Sequence, residues 1–249
     1  MNIAILGALI VLCQSAIAGE LIFREFPVPD NDPVKIARTH KTDKIYAVVE
    51  EALKAEGLGG IVIDSVEWRE QIPSERRKTS LRVVQQDTIP PEMAGRSRNY
   101  SEFIISWKDS VVFRFATSNV AKDPYRFRVF DEGWVLDVED YRRPDSSGWS
   151  EVIDNVIVLD GVELNQSKNV DGCWGYRHVD NKPFYFFERD HTLGWSFDGV
   201  ETISNYEIIE HDHCCKDLLL NPQFFHNALS FYASRDGLWY QVVGMVRSD

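Results

Sequence analysis

From Phe103 to its end the sequence repeats one short cycle. Runs of roughly five to eight aromatic or β-branched residues alternate with turns carrying Asp-Gly or an equivalent pair. The runs are Phe103–Trp107, Val111–Phe115, Tyr125–Phe130, Trp134–Val138, Val152–Leu159, Pro183–Phe187, Leu193–Phe197, Ala228–Ala233 and Leu238–Val243. Segments so short cannot be helices of ordinary length, and tight Asp-Gly turns join strands into antiparallel hairpins. The expected fold class is therefore mainly β: an antiparallel sheet of repeated hairpins, or a propeller-like array, with one N-terminal α-helix.

That helix is read from period. Ile45, Val48, Val49, Ala52 and Leu53 recur at helical spacing, and Glu50, Glu51 and Lys54 hold the opposite face. Thr42 or Asp43 can cap its start and Gly57 can end it, which places the helix near residues 43–56. A strand is expected before it, at Leu21–Pro29. After Gly60 the period changes to two, giving strands at Ile61–Trp68 and Leu81–Gln86. The organisation expected is a leader over 1–18, a helix-and-strand region over 19–100 and a repeated β domain over 101–249.

Within that β domain, Phe187-Glu188-Arg189-Asp190 followed by Leu193-Gly194-Trp195-Ser196-Phe197-Asp198-Gly199 has the same shape as Tyr232 through Gly244. Both read aromatic strand, Arg-Asp turn, Trp-bearing strand, glycine turn. Val156 through Glu163 is an earlier cousin. The Gly161–Gly199 and Gly199–Gly244 spacings are 38 and 45 residues, near the length of a four-stranded propeller blade. Trp107-Lys108-Asp109-Ser110-Val111-Val112-Phe113 resembles the core of TolB-like β-propeller repeats, with Lys108 where the family has Pro and Ser110 where it has Gly. The Arg-Asp, Leu-Gly-Trp and Asp-Gly series over 189–199 is similar to WG-type β repeats. The resemblance implies a propeller-like scaffold used for binding, with no catalytic residues to carry over.

The apolar run Ile3–Cys13 is too short to span a bilayer, which takes about 20 residues, and fits the core of a secretory signal. Ala16-Ile17-Ala18 supplies a cleavage box, so the mature chain is expected to begin at Gly19, outside the cytoplasm, secreted or periplasmic. No later stretch has transmembrane length. The net charge of -12, from 39 acidic and 27 basic residues, argues against nucleic-acid binding, which needs a basic face. Basic residues do gather at Arg69, Arg76, Arg77, Lys78, Arg82, Arg96 and Arg98, and a solvated hairpin face accounts for them.

The densest chemistry is His211-Asp212-His213-Cys214-Cys215. Imidazole and thiolate suit zinc or copper, and Cys173 with His178 or His191 can complete a four-ligand set. Outside the cytoplasm thiols oxidise, so a disulfide from Cys173 to Cys214 or Cys215 competes with the metal reading, as do a vicinal Cys214–Cys215 bond and free buried thiols. Acid pairs occur at Asp131-Glu132, at Asp137 with Glu139 and Asp140, and at Glu151 with Asp154; a glycosidase needs two such groups across a cleft. No recognised hydrolase, P-loop or dinucleotide signature is present. The sequons at Asn99 and Asn165 are glycan acceptors only where the host glycosylates. Three functions follow in order: a binding or scaffold protein for an unassigned protein or carbohydrate, with no cofactor; an extracytoplasmic carbohydrate-active hydrolase using paired carboxylates; and a metal-binding protein through the His/Cys cluster.

Overall fold

A computed structural model describes residues 20–35, 42–61, 81–88, 100–107, 110–117, 126–130, 133–144, 151–211 and 219–247. The described chain is mainly strand, in antiparallel sheets, with few helices. Among the described residues the sheets form no closed barrel or propeller. In chain order the elements are β1 (Glu20–Pro27), α1 (Thr42–Ala55), β2 (Leu81–Thr88), β3 (Tyr100–Trp107), β4 (Ser110–Thr117), β5 (Arg126–Phe130), β6 (Gly133–Pro144), β7 (Glu151–Leu159), β8 (Val162–Glu163) and α2 (Leu164–Lys168). They continue with β9 (Gly172–Val179), β10 (Lys182–Arg189), β11 (Thr192–Phe197), β12 (Val200–Ile203), β13 (Ile208–Ile209), β14 (Gln223–Phe224), β15 (Ala228–Arg235) and β16 (Leu238–Arg247). The short helix α2, inside the region read as all strand, is a departure from the sequence reading. The strand expected at Ile61–Trp68 lies outside the described residues beyond Ile61.

The chain divides into two compact units that are discontinuous in sequence: Ser65–Tyr176 with Tyr185–His191, and Met1–Asp64 with Arg177–Phe184 and Thr192–Asp249. In the first, sheets β2-β3-β4 and β5-β6-β7-β8 share a core. Phe103, Ile105 and Phe115 pack with Trp134, Leu136, Val138, Val156 and Val158. The alternate residues Val135 and Ile157 leave the opposite face and pack with Leu164, Cys173, Tyr176, Tyr185 and Phe187. Over Trp134–Val138 and Val156–Val158 the two strands are thus buried on both faces, which is why Val156–Leu159 reads as a continuous apolar run rather than an alternating one.

In the second unit the sheet order is β1-β16-β15-β13, with β14 also on β15. Helix α1 lays Ile45, Val49, Ala52 and Leu53 against one face, on Ala228, Val243 and Met245. Burying such side chains contributes roughly 1.5–3 kcal/mol each. The helix stops at Gly57, whose φ of 69° is the left-handed conformation a helix end favours. The Leu58 N–H then donates to Leu53 O at 2.9 Å, and Leu58 packs back into the same core. On the other face the Phe23 ring meets Trp195 at 4.5 Å and Phe231 at 6.3 Å between centroids.

Gly244 explains how Phe23 gets there. It lies in β16, opposite Phe23 on β1 and Leu229 on β15. A Cβ at Gly244 would come within 2.7 Å of Phe23 Cε1 and 2.8 Å of Leu229 Cδ2. Gly244 is therefore not the turn glycine the sequence repeat suggested. The order β12-β11-β10-β9 in one sheet is matched by β1-β16-β15-β13 in the other, with β1 standing in the place of β12. The third strand does not need to turn, because its partner comes from the other end of the chain.

The hairpin turns share one device. Asp160, Asp180, Asp190, Asp198 and Asp236 all have positive φ, followed by Gly161, Asn181, His191, Gly199 and Gly237, which do too. Two successive left-handed residues match the right-handed twist of the flanking strands.

Candidate functional site

The row Phe103, Ile105, Trp107 follows one face of β3. Phe103 and Ile105 are in the core, but Trp107 runs past its end and is 44% exposed. Across the hairpin the register passes from Ile105↔Phe113 to Ser106↔Val111, so Val112 is the extra residue of a bulge. Bulges re-aim side chains and end regular pairing. Val111 and Val112 are 49% and 51% exposed. The end of the β3–β4 hairpin therefore carries one indole and two valines on a framework fixed by the core below. Farther along, Glu102 accepts from Arg114 at 3.1 Å, a cross-strand ion pair. Residues 108 and 109 lie outside the described residues.

The His/Cys cluster is described only at its first member. His211 is half-buried, with Nδ1 2.9 Å from Ile209 O. A carbonyl accepts, so Nδ1 carries the proton in the neutral ring, and any ligating role falls to Nε2. His213, Cys214 and Cys215 lie outside the described residues. His178 is half-buried on β9, and His191 stands exposed in a turn with Nδ1 3.6 Å from Glu188 Oε1. Among the described residues no three His, Cys, Asp or Glu side chains converge as a metal site would require.

Cys173 is a free, wholly buried thiol. Its Sγ donates to Asn165 Oδ1 at 2.8 Å. Burial, with Asp137 and Glu163 adding to it, pushes the thiol well above its ordinary range. The pairing expected with Cys214 or Cys215 has one end in this core and the other outside the described residues.

Of the acid pairs, Asp131-Glu132 lies outside the described residues. Asp137 is buried and accepts from Gly175 N at 3.2 Å through Oδ2. Asp140 and Asp154 are register partners across β6 and β7, and Glu139 stands opposite Asn155 and Glu151 opposite Pro144.

Two groups escaped the sequence reading. Asn165, noticed only as a sequon, is a buried hub. Its Nδ2 donates to Asn155 O at 2.9 Å and Asp171 O at 3.4 Å, and its Oδ1 accepts from Ile157 N at 3.4 Å and from Cys173. An amide so occupied cannot present itself to a glycosyltransferase in the folded chain. The second is Glu25, which accepts from Arg235 Nη1 and Nη2 at 2.9 and 2.8 Å and from the Tyr206 hydroxyl at 2.6 Å. Glu25 lies far from both partners in sequence, and no local pattern marks such a group.

Fold and site together define a mainly β chain of antiparallel sheets with an exposed apolar hairpin end. No family model, no curated protein and no solved structure matches this chain.

Proposed function

We propose that this chain is an exported binding or scaffold protein built from propeller-like β repeats, with the β3–β4 hairpin end as its contact surface for a protein or carbohydrate ligand. The observation that carries the reading is the exposure of Trp107, Val111 and Val112 together at the end of the β3–β4 hairpin. Indole rings stack on sugar faces and anchor protein interfaces alike, because they bury a large area at little entropic cost. Two features support the repeat. Antiparallel meanders recur along the chain, and in the first unit two sheets share a core while a second core covers the opposite face of Val135 and Ile157. Export rests on the apolar run Ile3–Cys13 followed by Ala16-Ile17-Ala18.

The hydrolase reading has one observation in its favour, the Asp140↔Asp154 register pair. Two acidic residues at one register position are the residue types an acid–base pair uses. Affinity electrophoresis of the mature protein through gels cast with neutral polysaccharides, read beside a reducing-sugar assay, separates the two. Retardation that disappears in Trp107→Ala, with no new reducing ends, is the expected result. Reducing ends that vanish in Asp140→Asn would replace this reading with the hydrolase.

A further inference from the structure

Every described segment ahead of residue 61 is held by residues near the other end of the chain. Strand β1 pairs only with β16 among the described strands, from Glu20↔Arg247 to Pro27↔Tyr240. Phe23 rests on Trp195 and Phe231. Glu25 is bound by Tyr206 and Arg235. Past the strand, Val28 N donates to Trp239 O at 2.9 Å, and the Asn31 amide clamps the β15–β16 turn, donating to Gly237 O at 2.9 Å and accepting from Trp239 N at 2.6 Å. Helix α1 buries its apolar face on Phe225, Ala228, Val243 and Met245. Two described polar contacts tie β1 to chain made before β15: Arg24 to Glu56, an ion pair at the end of that same helix, and the Tyr206 hydroxyl to Glu25.

The core that buries the faces of β1 and α1 therefore takes most of its remaining side chains from Phe225 onward, with Trp195 the earlier contact of Phe23. A strand without a partner and a 14-residue helix without a docking face are both marginal in water. Contacts of such sequence separation also form late, because loop closure must precede them.

We propose that the N-terminal segment, β1 and α1 together, stays unfolded until β15 and β16 are available, so that the region directly behind the leader is the last part of the chain to fold. This rests on the export reading for its use: a leader joined to unfolded chain remains threadable throughout synthesis. The folding order itself stands or falls separately.

The test uses ribosome-stalled chains of the natural sequence, halted with either residue 200 or residue 249 outside the exit tunnel. Brief trypsin treatment is read by the yield of the peptide ending at Arg24. Ready cleavage at Arg24 in the shorter chain and at least tenfold protection in the longer one is expected. Equal protection in both would overturn the proposal. Pulse-labelled refolding of the complete mature chain gives a second reading. The amides of Ile22, Arg24 and Phe26 should gain protection with those of β16 and later than those of β6 and β7. Protection of β1 together with β6 and β7 would overturn it. Fractionation of cells, scored independently, tells whether export rather than folding order is at fault.

Discussion

Arg235 and Glu25 meet as a two-pronged ion pair across three strands, from β15 over β16 to β1, although 210 residues separate them in sequence. The guanidinium lies over the rings of Tyr206 and Tyr240, at 5.7 and 5.1 Å from their centroids, and the Tyr206 hydroxyl takes up the carboxylate from the side. Planar, doubly bonded pairs hold their geometry better than single contacts. The pair is about a fifth exposed, so it is worth more than a surface bridge. A double-mutant cycle of Glu25→Gln with Arg235→Met should give a coupling of roughly 1–3 kcal/mol in urea unfolding. Tyr206→Phe alone should cost about 1 kcal/mol. Additive single effects would mean that the pair contributes nothing.

Glu56 contributes to the acid limb of stability. Arg24 donates to its Oε1 at 2.7 Å and Arg247 to its Oε2 at 2.8 Å. These partners, the Arg24 hydrogen bond foremost, hold the carboxyl below its ordinary range despite its burial. A carboxyl lowered in the folded state contributes stability that is complete above its unfolded value, about 4.3, and is lost as the pH falls through the lower folded value. Glu56→Gln should therefore lower the urea midpoint at neutral pH and flatten its decline below about pH 4.3. An acid limb of unchanged slope would assign the loss to other carboxylates.

Gly244→Ala tests the close approach under Phe23. The added methyl meets the Phe23 ring and Leu229 at distances real side chains do not adopt, and overpacking of this kind costs about 1–3 kcal/mol. In a Phe23→Leu background the ring edge is gone, so the same substitution should cost measurably less. Equal costs in both backgrounds would locate the strain elsewhere.

These three sites show what the sequence could and could not disclose. The alternation in β3, the helical spacing of Ile45, Val49, Ala52 and Leu53, and the Asp-led turns are local signals, and each lies within one element. The role of Gly244 was hidden because its strand pairs with β1, more than two hundred residues earlier; from sequence it looked like a turn glycine at a repeat interval. The continuous apolar run Val156–Leu159 signals burial on both faces, but period alone does not say what covers each face. Asn165 and Glu25 act through partners that only the fold brings near. Trp107 was legible as a motif residue, yet its exposure depends on where the core ends and on the bulge at Val112.

Three tyrosines contribute to the alkaline limb. Burial pushes Tyr176 and Tyr232 up to about 12, and burial with the Glu25 carboxylate raises Tyr206 further. A phenol raised in the folded state contributes stability that is fully present below the unfolded value, about 10, and is lost as the pH rises through the folded value. The protein should hold its urea midpoint to about pH 10 and lose it steadily toward pH 12. Tyr232→Phe should soften that decline, and it should do so without a hydrogen-bond penalty, because the Tyr232 hydroxyl is buried with no partner among the described residues. A midpoint that falls well below pH 10 would show that these phenols are less buried than the packing indicates.

Cys173 and Asn165 form the last pair to test. The thiol is enclosed by Val135, Ile157, Leu164, Tyr176, Tyr185 and Phe187, and it donates to the Asn165 oxygen. Reaction requires the thiolate, which burial disfavours, and it requires access, which the core denies. Native protein should therefore leave Cys173 unmodified by a mild thiol reagent for as long as it stays folded, and its labelling rate should follow the rate of unfolding in urea. Asn165→Ala would remove the donation to Asn155 O and Asp171 O and the acceptor that Ile157 N and the thiol use. Each lost hydrogen bond costs about 1 kcal/mol, so the variant should lose at least about 2 kcal/mol and label Cys173 faster in proportion. Asn165→Asp is the sharper variant, because it keeps the size and the accepting oxygen. It loses the donation to Asn155 O and brings a carboxylate into a core that already holds Asp137, so it should be less stable at neutral pH than at pH 4. Rapid labelling of folded wild-type protein, or an Asn165→Ala variant as stable as the parent, would show that this hub does not hold the β7–α2–β9 junction together.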